Sequence, residues 1–112
     1  MPRETGVPTG TLAMLILQVL RAGGPLHGYA IAQRIHLLSS SELKVEEGSL
    51  YPSLQKLLAE GWVKADWVVS ETGRKVREYT LTRAGAKQLD HELREYERMS
   101  AAVRAVLEGG NA

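Results

Sequence analysis

The stretch WVKADWVVSETGRKVREYTLT, residues 62–82, contains two strand-like runs joined by a turn. Residues 62–69 and 76–82 are rich in valine, threonine and aromatic residues, which favour extended backbone. Gly73, between the two runs, supplies the backbone freedom that a hairpin turn needs. The sequence therefore predicts a β-hairpin, and the segments on either side of it decide which fold it belongs to.

The tip of this hairpin is the most basic part of the chain. Residues 70–77 contain three cations in their last four positions. Residues 61–87 carry six basic and three acidic side chains, and residues 88–112 carry three and five, although the net charge of the chain is only +1. A charge run is usually a solvated surface, but a local positive excess also suits contact with phosphates.

The two interpretations of the tip assign its cations differently. If the tip contacts DNA, Arg74 and Lys75 are the phosphate contacts, because they lie nearest the turn. Arg77 lies farther from the turn, where Glu78 or Asp66 is a possible ion-pair partner. We therefore assign DNA binding to Arg74 and Lys75 only.

A helical pattern, SLYPSLQKLLAEG (49–61), immediately precedes the hairpin. One side of its helical wheel is apolar and predicts the buried face: Leu50, Leu54, Leu57 and Leu58. The other side carries a hydroxyl, a phenol, an amide and an ammonium, which suit phosphates or base edges, although any surface helix has a polar face. Pro52 on this side is expected in the first turn, where its missing N–H costs nothing. We predict DNA contact through this face, by Ser49, Tyr51, Pro52, Gln55 and Lys56.

Three more helices and a short extended piece complete the chain. Apolar spacing predicts a helix from Thr9 or Thr11 to Gly23, a second over residues 27–39 and an extended piece at 43–45. Thr82 is a predicted cap for a long last helix that begins at Arg83. The expected fold is mainly α with a small β-hairpin (α+β), a winged helix-turn-helix, with Trp62 and Trp67 packed under the sheet. The domain boundaries are a flexible arm (1–8), the winged helix (9–82), a dimerisation helix (83–108) and a tail (109–112).

Three segments resemble the PadR family of bacterial transcriptional regulators, in its subgroup with a short C-terminal helix. They are GPLHGYAIAQRI (24–35), VEEGSLYPSLQKLLAEGWV (45–63) and GRKVREYTLTRAGAKQL (73–89). The resemblance covers roughly residues 9–107, and it departs from the family at Arg83, where a proline is usual. It implies a homodimeric winged-helix repressor that contacts DNA through the third helix and the wing, and that a small-molecule effector releases. A homodimer in turn suits a palindromic double-stranded operator.

The last helix carries apolar and small residues at spacings of three and four, which predict a seam that packs along its own domain, against a partner subunit, or both. These residues are Ala86, Leu89, Leu93, Tyr96, Ser100, Val103 and Leu107. The first helix is apolar nearly all round and needs cover on both sides. We therefore predict a mixed dimer interface that also includes Leu12, Leu15, Ile16 and Val19. A small apolar effector could lie between such helices, near Tyr96 and Met99.

Other classes of protein lack sequence support. The chain has no cysteine, and His27, His36 and His91 do not have the spacing of metal ligands, so we expect no metal and no cofactor. The sequence contains no catalytic motif, so we do not expect an enzyme. The apolar run at residues 12–20 is too short to span a bilayer, so we expect a cytoplasmic protein without a membrane partner. The competing hypothesis is a winged-helix module that binds protein instead of DNA.

Overall fold

The computed structural model of the chain describes residues 4–109. Four helices and two small sheets form the predicted α+β winged-helix fold. The elements follow in the order β1 (Thr5–Gly6), α1 (Thr9–Gly23), β2 (Leu26–His27), α2 (Gly28–Leu38), β3 (Leu43–Lys44), α3 (Glu47–Ala59), β4 (Val63–Val69), β5 (Lys75–Leu81) and α4 (Arg83–Gly109). Of the predicted tail, only Gly109 is described, and it ends α4.

The predicted hairpin is confirmed, and it forms most of a three-stranded sheet. Strands β4 and β5 pair antiparallel from Val63 opposite Leu81 to Val69 opposite Lys75. The short strand β2 adds to the other edge of β5, with Leu26 opposite Tyr79. The sequence did not predict this third strand, because two residues carry no periodicity that could reveal it.

The second sheet pairs the predicted arm with the segment between α2 and α3. Thr5–Gly6 runs parallel to Leu43–Lys44. The Glu4 carboxylate lies 3.7 Å from His36 Nε2 and 4.0 Å from Lys44 Nζ. The described end of the arm is therefore held by backbone pairing, whereas the sequence predicted a loop there; residues 1–3 lie outside the described part.

The core is centred on α1, which packs against α2, α3, α4 and β5. Its residues Leu12, Ile16 and Val19 are buried inside the protomer, and Leu15 is half-buried against the same core. Three helices and a strand of its own chain thus supply the cover that α1 needs. The prediction that Leu12, Ile16 and Val19 form a dimer interface requires correction, because buried side chains offer no surface to a second subunit.

The root of the hairpin is joined to α4 by a short network around Thr82. Thr82 Oγ1 donates a hydrogen bond to the Gly61 carbonyl (2.7 Å) and accepts one from the Gly85 N–H (3.0 Å). The Thr82 N–H donates to the carbonyl of Trp62 at 3.1 Å. These bonds cap α4 as predicted, and the helix begins at Arg83 without a proline in its first turn.

Gly85 allows the first turn of α4 to touch the backbone of Trp62. A Cβ atom at position 85 would lie 2.0 Å from the Trp62 carbonyl oxygen and 2.7 Å from Leu81 Cδ1. Because the nearest atom belongs to the backbone, no rotamer change removes this clash. Glycine is therefore required at position 85 by close approach.

Helix α4 is anchored along its first third and then leaves the domain. Leu89 is fully buried, Leu93 packs at the edge of the core, and Asp90 forms a 2.8 Å ion pair with Arg21 at the end of α1. At about 1.5 Å per residue the helix is about 40 Å long. The radius of gyration is 16.0 Å, whereas a compact chain of this size has about 13 Å. The difference reflects the projecting end of α4.

The close contact at position 85 generates the first prediction. We expect Gly85→Ala to lower the free energy of unfolding by about 2 kcal/mol or more, since the added methyl group meets backbone. Gly48→Ala is the matched control, because a Cβ there has no neighbour within 4 Å and alanine favours the helix. Urea denaturation of both variants measures the effect. A Gly85→Ala protein as stable as Gly48→Ala would contradict the packing described here.

Candidate nucleic-acid interface

Helix α3 presents the polar face that its sequence predicted. Leu50, Leu54 and Leu57 are buried, and Ser53 is buried beside them. The five residues predicted to contact DNA are all exposed: Ser49, Tyr51, Pro52, Gln55 and Lys56. The burial of the leucines on the core side thus turns the hydroxyl, amide and ammonium groups of α3 toward solvent.

Pro52 lies two residues further into α3 than the sequence suggested. The helix begins at Glu47, two residues before the predicted start, which places Pro52 in the second turn. There the missing N–H removes the helical hydrogen-bond donor for the Gly48 carbonyl. That carbonyl lies on the exposed side of α3, where Gly48 itself is exposed.

A groove of about 690 Å³ separates α3 from the hairpin β4–β5, which we call the wing. One wall is formed by Tyr51 and Gln55 of α3, and the other by Arg74 and Lys75 of the wing. We call this the wing groove. The structure thus brings four of the seven predicted DNA-binding residues to one concave surface.

The other three predicted residues lie on the far side of α3. Ser49, Pro52 and Lys56 line a second concavity of about 510 Å³ between α3, the start of α1 and α4. Glu92 of α4 lines the same concavity. The exposed ridge of α3 therefore separates the seven predicted residues into two groups.

The wing tip is a tight turn with exposed cations. The Ser70 N–H donates to the Arg74 carbonyl (2.8 Å), and the Arg74 N–H donates to Ser70 Oγ (3.2 Å). Gly73 has a φ of 82°, which glycine adopts without strain. Arg74 and Lys75 are exposed, and no ion pair of the described residues involves them.

Tyr51 is positioned by a glycine of the neighbouring helix. Gly28, the first residue of α2, is buried, and a Cβ there would lie 3.1 Å from the Tyr51 hydroxyl oxygen. His27 caps the same helix through Nδ1, which accepts from the Ala30 N–H at 3.3 Å. His27 is therefore the N-cap of α2. Gly28 therefore leaves the space that the Tyr51 ring occupies, a role that the sequence did not reveal.

Two further side chains of the wing groove, Trp67 and Arg77, lie in environments that differ from those predicted from the sequence. Trp62 packs against the core as predicted, but Trp67 is 66% exposed, so its predicted place under the sheet is wrong. Arg77 lies 6.0 Å from the ring centroids of both Trp67 and Tyr79. The ion pairs of the described residues do not include Arg77.

The pleat of the wing explains both differences. Arg77 lies opposite Trp67, and Glu78 lies opposite Asp66. Because side chains alternate along a strand, the two carboxylates point to the face away from Arg77. Trp67 continues the core-facing side of β4 beyond the point where the helices cover it.

The second half of α4 carries an exposed apolar surface. Tyr96, Met99, Val103, Val106 and Leu107 are all at least about half exposed. Neither concavity described above includes Tyr96 or Met99. Of the predicted dimer seam, this part alone offers large apolar side chains to another molecule, since Leu89 is buried and Leu93 packs on the core.

The described residues contain no group of three or more histidine, cysteine, aspartate or glutamate side chains that could hold a metal ion. Within residues 4–109, none of the helices has the length and apolar character needed to cross a membrane.

Comparison with known proteins gives a consistent family match. Residues 16–91 match the model of the transcriptional regulator PadR-like family. An uncharacterised 37.1 kDa protein of transposon Tn4556 from Streptomyces fradiae is 40% identical over 95 residues, which make up 85% of this chain and 26% of that protein. The chain thus spans about a quarter of the length of this curated relative.

Solved structures share the fold over most of their length. A PadR family transcriptional regulator from Eggerthella lenta has a TM-score of 0.77 at 26% identity, with 88% of this chain and 83% of that chain covered. A protein of Streptococcus mutans has a TM-score of 0.78 at 28% identity, with 94% and 93% covered.

The contact between Gly28 and Tyr51 generates the second prediction. Gly28→Ala places a methyl group against the ring of Tyr51. We therefore expect the substitution to lower the free energy of unfolding by about 1 kcal/mol more when Tyr51 is present than in a Tyr51→Ala background. The helix propensity of alanine is common to both backgrounds and cancels. Unfolding of the four proteins measures the coupling, and additive effects would show that the ring does not rest on Gly28.

Proposed function

The chain belongs to the PadR-like family of transcriptional regulators, and we propose that it is a homodimeric repressor that binds its operator through α3 and the wing. Its family consists of DNA-binding regulators and not of enzymes. The wing groove carries this proposal, because it places side chains that suit base edges on one wall and free cations on the other. A DNA backbone that passes α3 would meet the wing cations next.

The charges around α3 are compatible with this orientation. Glu46, directly before α3, lies 3.9 Å from Lys44 Nζ, which offsets part of its repulsion of phosphate. Glu47 lies in the first turn, where the helix dipole favours a carboxylate. The cations at the wing tip have no such acidic partner among the described residues. The positive potential of the wing is therefore available to DNA.

The dimer is proposed to form through the projecting half of α4. A contiguous apolar surface on a helix favours association when nothing in the protomer covers it. Two protomers joined there would present two α3 helices, which suits a palindromic operator with half-sites about one or more helical turns apart. A small apolar effector that releases DNA would bind between the two α4 helices, beside Tyr96 and Met99. Such a regulator would act in the cytoplasm.

The direct test of the function is DNA binding. The probe is a labelled duplex containing the region upstream of the protein's own gene, titrated with protein over a series of salt concentrations. We expect tighter binding than to an unrelated duplex of equal length, with affinity falling steeply as salt rises. If neither duplex binds at low salt, the protein-binding alternative replaces this proposal.

The third prediction concerns the wing tip. If Arg74 and Lys75 contact phosphates, the substitution of both by alanine removes up to four such contacts from a dimer. Each lost contact flattens the plot of log K against log salt by about 0.9 units, so the double variant should lose up to about 3–4 units. Specific and unrelated duplexes should weaken together, because phosphate contacts read no sequence.

The control is the double variant Lys87→Ala/Arg94→Ala. It removes the same charge from exposed positions of α4, seven residues apart on the side away from the apolar seam. Its salt dependence should match that of the wild type. An unchanged slope in the wing variant would identify the tip as a solvated turn, and an altered sequence preference with the slope preserved would mean that the wing reads bases.

The fourth prediction concerns assembly. Val103 is 49% exposed in the protomer, so Val103→Asp should leave the protomer folded and remove the dimer by placing a carboxylate in an apolar interface. Ala101→Asp, on the other side of α4, is the control. Sedimentation should show a dimer for wild type and control at micromolar concentration and a monomer for Val103→Asp. A dimeric Val103→Asp protein would exclude this part of α4 as the interface.

A further inference from the structure

The wing groove is lined by one further cation, Arg77, which belongs neither to the wing tip nor to α3. Arg77 is half-buried and lines the groove together with Tyr51 and Gln55 of α3 and the cations of the tip. Its guanidinium lies over two aromatic rings, at 6.0 Å from each centroid. One of these rings, Tyr79, is buried in the core, and the other, Trp67, is exposed to the groove.

The two rings favour some orientations of the guanidinium over others. A planar guanidinium stacks favourably on aromatic faces, whereas an ammonium lacks this geometry. An arginine that is already oriented loses less side-chain entropy when it forms hydrogen bonds to a phosphate. The rings cannot accept the N–H donors at the edge of the guanidinium, so these donors remain available to an acceptor in the groove.

Trp67 is a large aromatic residue that lies exposed in the wing groove. A large exposed aromatic residue in a concave basic surface is more typical of a binding site than of a solvated strand. An indole ring over one side of a guanidinium would limit the access of water to that side, which would strengthen the interaction of Arg77 with an anion. The opposite face of the same hairpin provides a contrast, because there Lys64 is exposed and has no aromatic neighbour of this kind among the described contacts.

We propose that Arg77 is a third phosphate contact of each wing, held in position by Trp67, and that it binds the DNA strand that passes between α3 and the wing tip. This inference rests on the proposed function, DNA binding by the wing groove. Arg77 differs from Arg74 and Lys75 in that its contact depends on a fixed geometry as well as on charge. Trp67 is a positioning residue for this contact.

The experiment uses the full chain and two duplexes of 30 base pairs. One duplex is recovered by the wild-type protein from a random-sequence pool, and the other is unrelated to it. Four variants are compared with the wild type: Arg77→Ala, Arg77→Lys, Trp67→Leu and the double variant Trp67→Leu/Arg77→Ala. Lys64→Ala is the control, because it removes one cation from the other face of the same hairpin. Thermal unfolding of each variant accompanies the binding measurements.

The expected results separate charge from geometry. Arg77→Ala should weaken binding to both duplexes about tenfold or more and flatten the salt slope by up to about 1.8 units for the two protomers of a dimer. Arg77→Lys should keep the slope but lose affinity several-fold. Trp67→Leu should also weaken binding, and it should add nothing in the Arg77→Ala background, because its effect acts through Arg77. Lys64→Ala should bind like the wild type.

Several outcomes would overturn the inference. If the wild type binds and Arg77→Ala binds equally well with an unchanged slope, Arg77 does not contact DNA, and the proposed function stands without it. If Arg77→Ala proves too unstable to measure, Arg77→Lys decides, and wild-type affinity in that variant overturns the inference. Independent effects of Trp67→Leu and Arg77→Ala would remove the positioning role of Trp67. If the wild type recovers no duplex and binds neither probe, the proposed function fails and this inference fails with it.

Discussion

The close contact between the first turn of α4 and the backbone of Trp62 is the constraint on which the rest of this structure depends. No side chain fits at position 85, because a Cβ there would lie 2.0 Å from the Trp62 carbonyl oxygen. Thr82 joins the same region to the end of α3 through the Gly61 carbonyl. Helix α3, the root of the wing and the start of α4 are thereby held in one arrangement. The wing groove and the direction in which α4 leaves the domain both follow from it.

The wing groove exists because the wing is longer than the layer that covers it. Each of its strands has seven residues and spans about 23 Å. Val63, Tyr79 and Leu81 at the root face the helices, whereas Trp67 and Arg77 lie on the same side of the strands nearer the tip, where Trp67 is exposed and Arg77 half-buried. The side of the hairpin that packs on the core at its root therefore forms an aromatic and basic surface opposite α3 nearer its tip. This change of environment along one face provides a candidate binding site without an additional element.

Helix α4 combines two environments in the same way. Its first part is held by Leu89 in the core and by the ion pair between Asp90 and Arg21. Its second part, from Tyr96 onward, carries apolar side chains that no other element within residues 4–109 covers. The folded domain therefore supplies a rigid base for a helix whose exposed end is suited to association. The proposed dimer joins the recognition surfaces through this end, so the packing at position 85 also sets the spacing of the two α3 helices.

The sequence by itself determined the features that depend on local patterns. Periodicity and turn chemistry predicted four helices, the hairpin and the cap at Thr82, and the leucines of α3 predicted which of its sides is exposed. The family resemblance from three segments agreed with the later match over residues 16–91. These predictions hold because each depends on residues that lie within a few positions of one another.

The tertiary structure alone decided which element covers each apolar or charged face. The apolar pattern of Leu12, Ile16 and Val19 is the same whether these side chains are buried by their own chain or by a partner subunit. Only the tertiary structure shows that α2, α3 and α4 bury them. Trp67 has the pattern of a core residue, but the core ends before it. Trp67, one of the two rings beside Arg77, lies on the neighbouring strand, and the Trp62 backbone that excludes a side chain at position 85 lies 23 residues earlier in the chain. Such contacts are non-local, so the sequence pattern does not contain them.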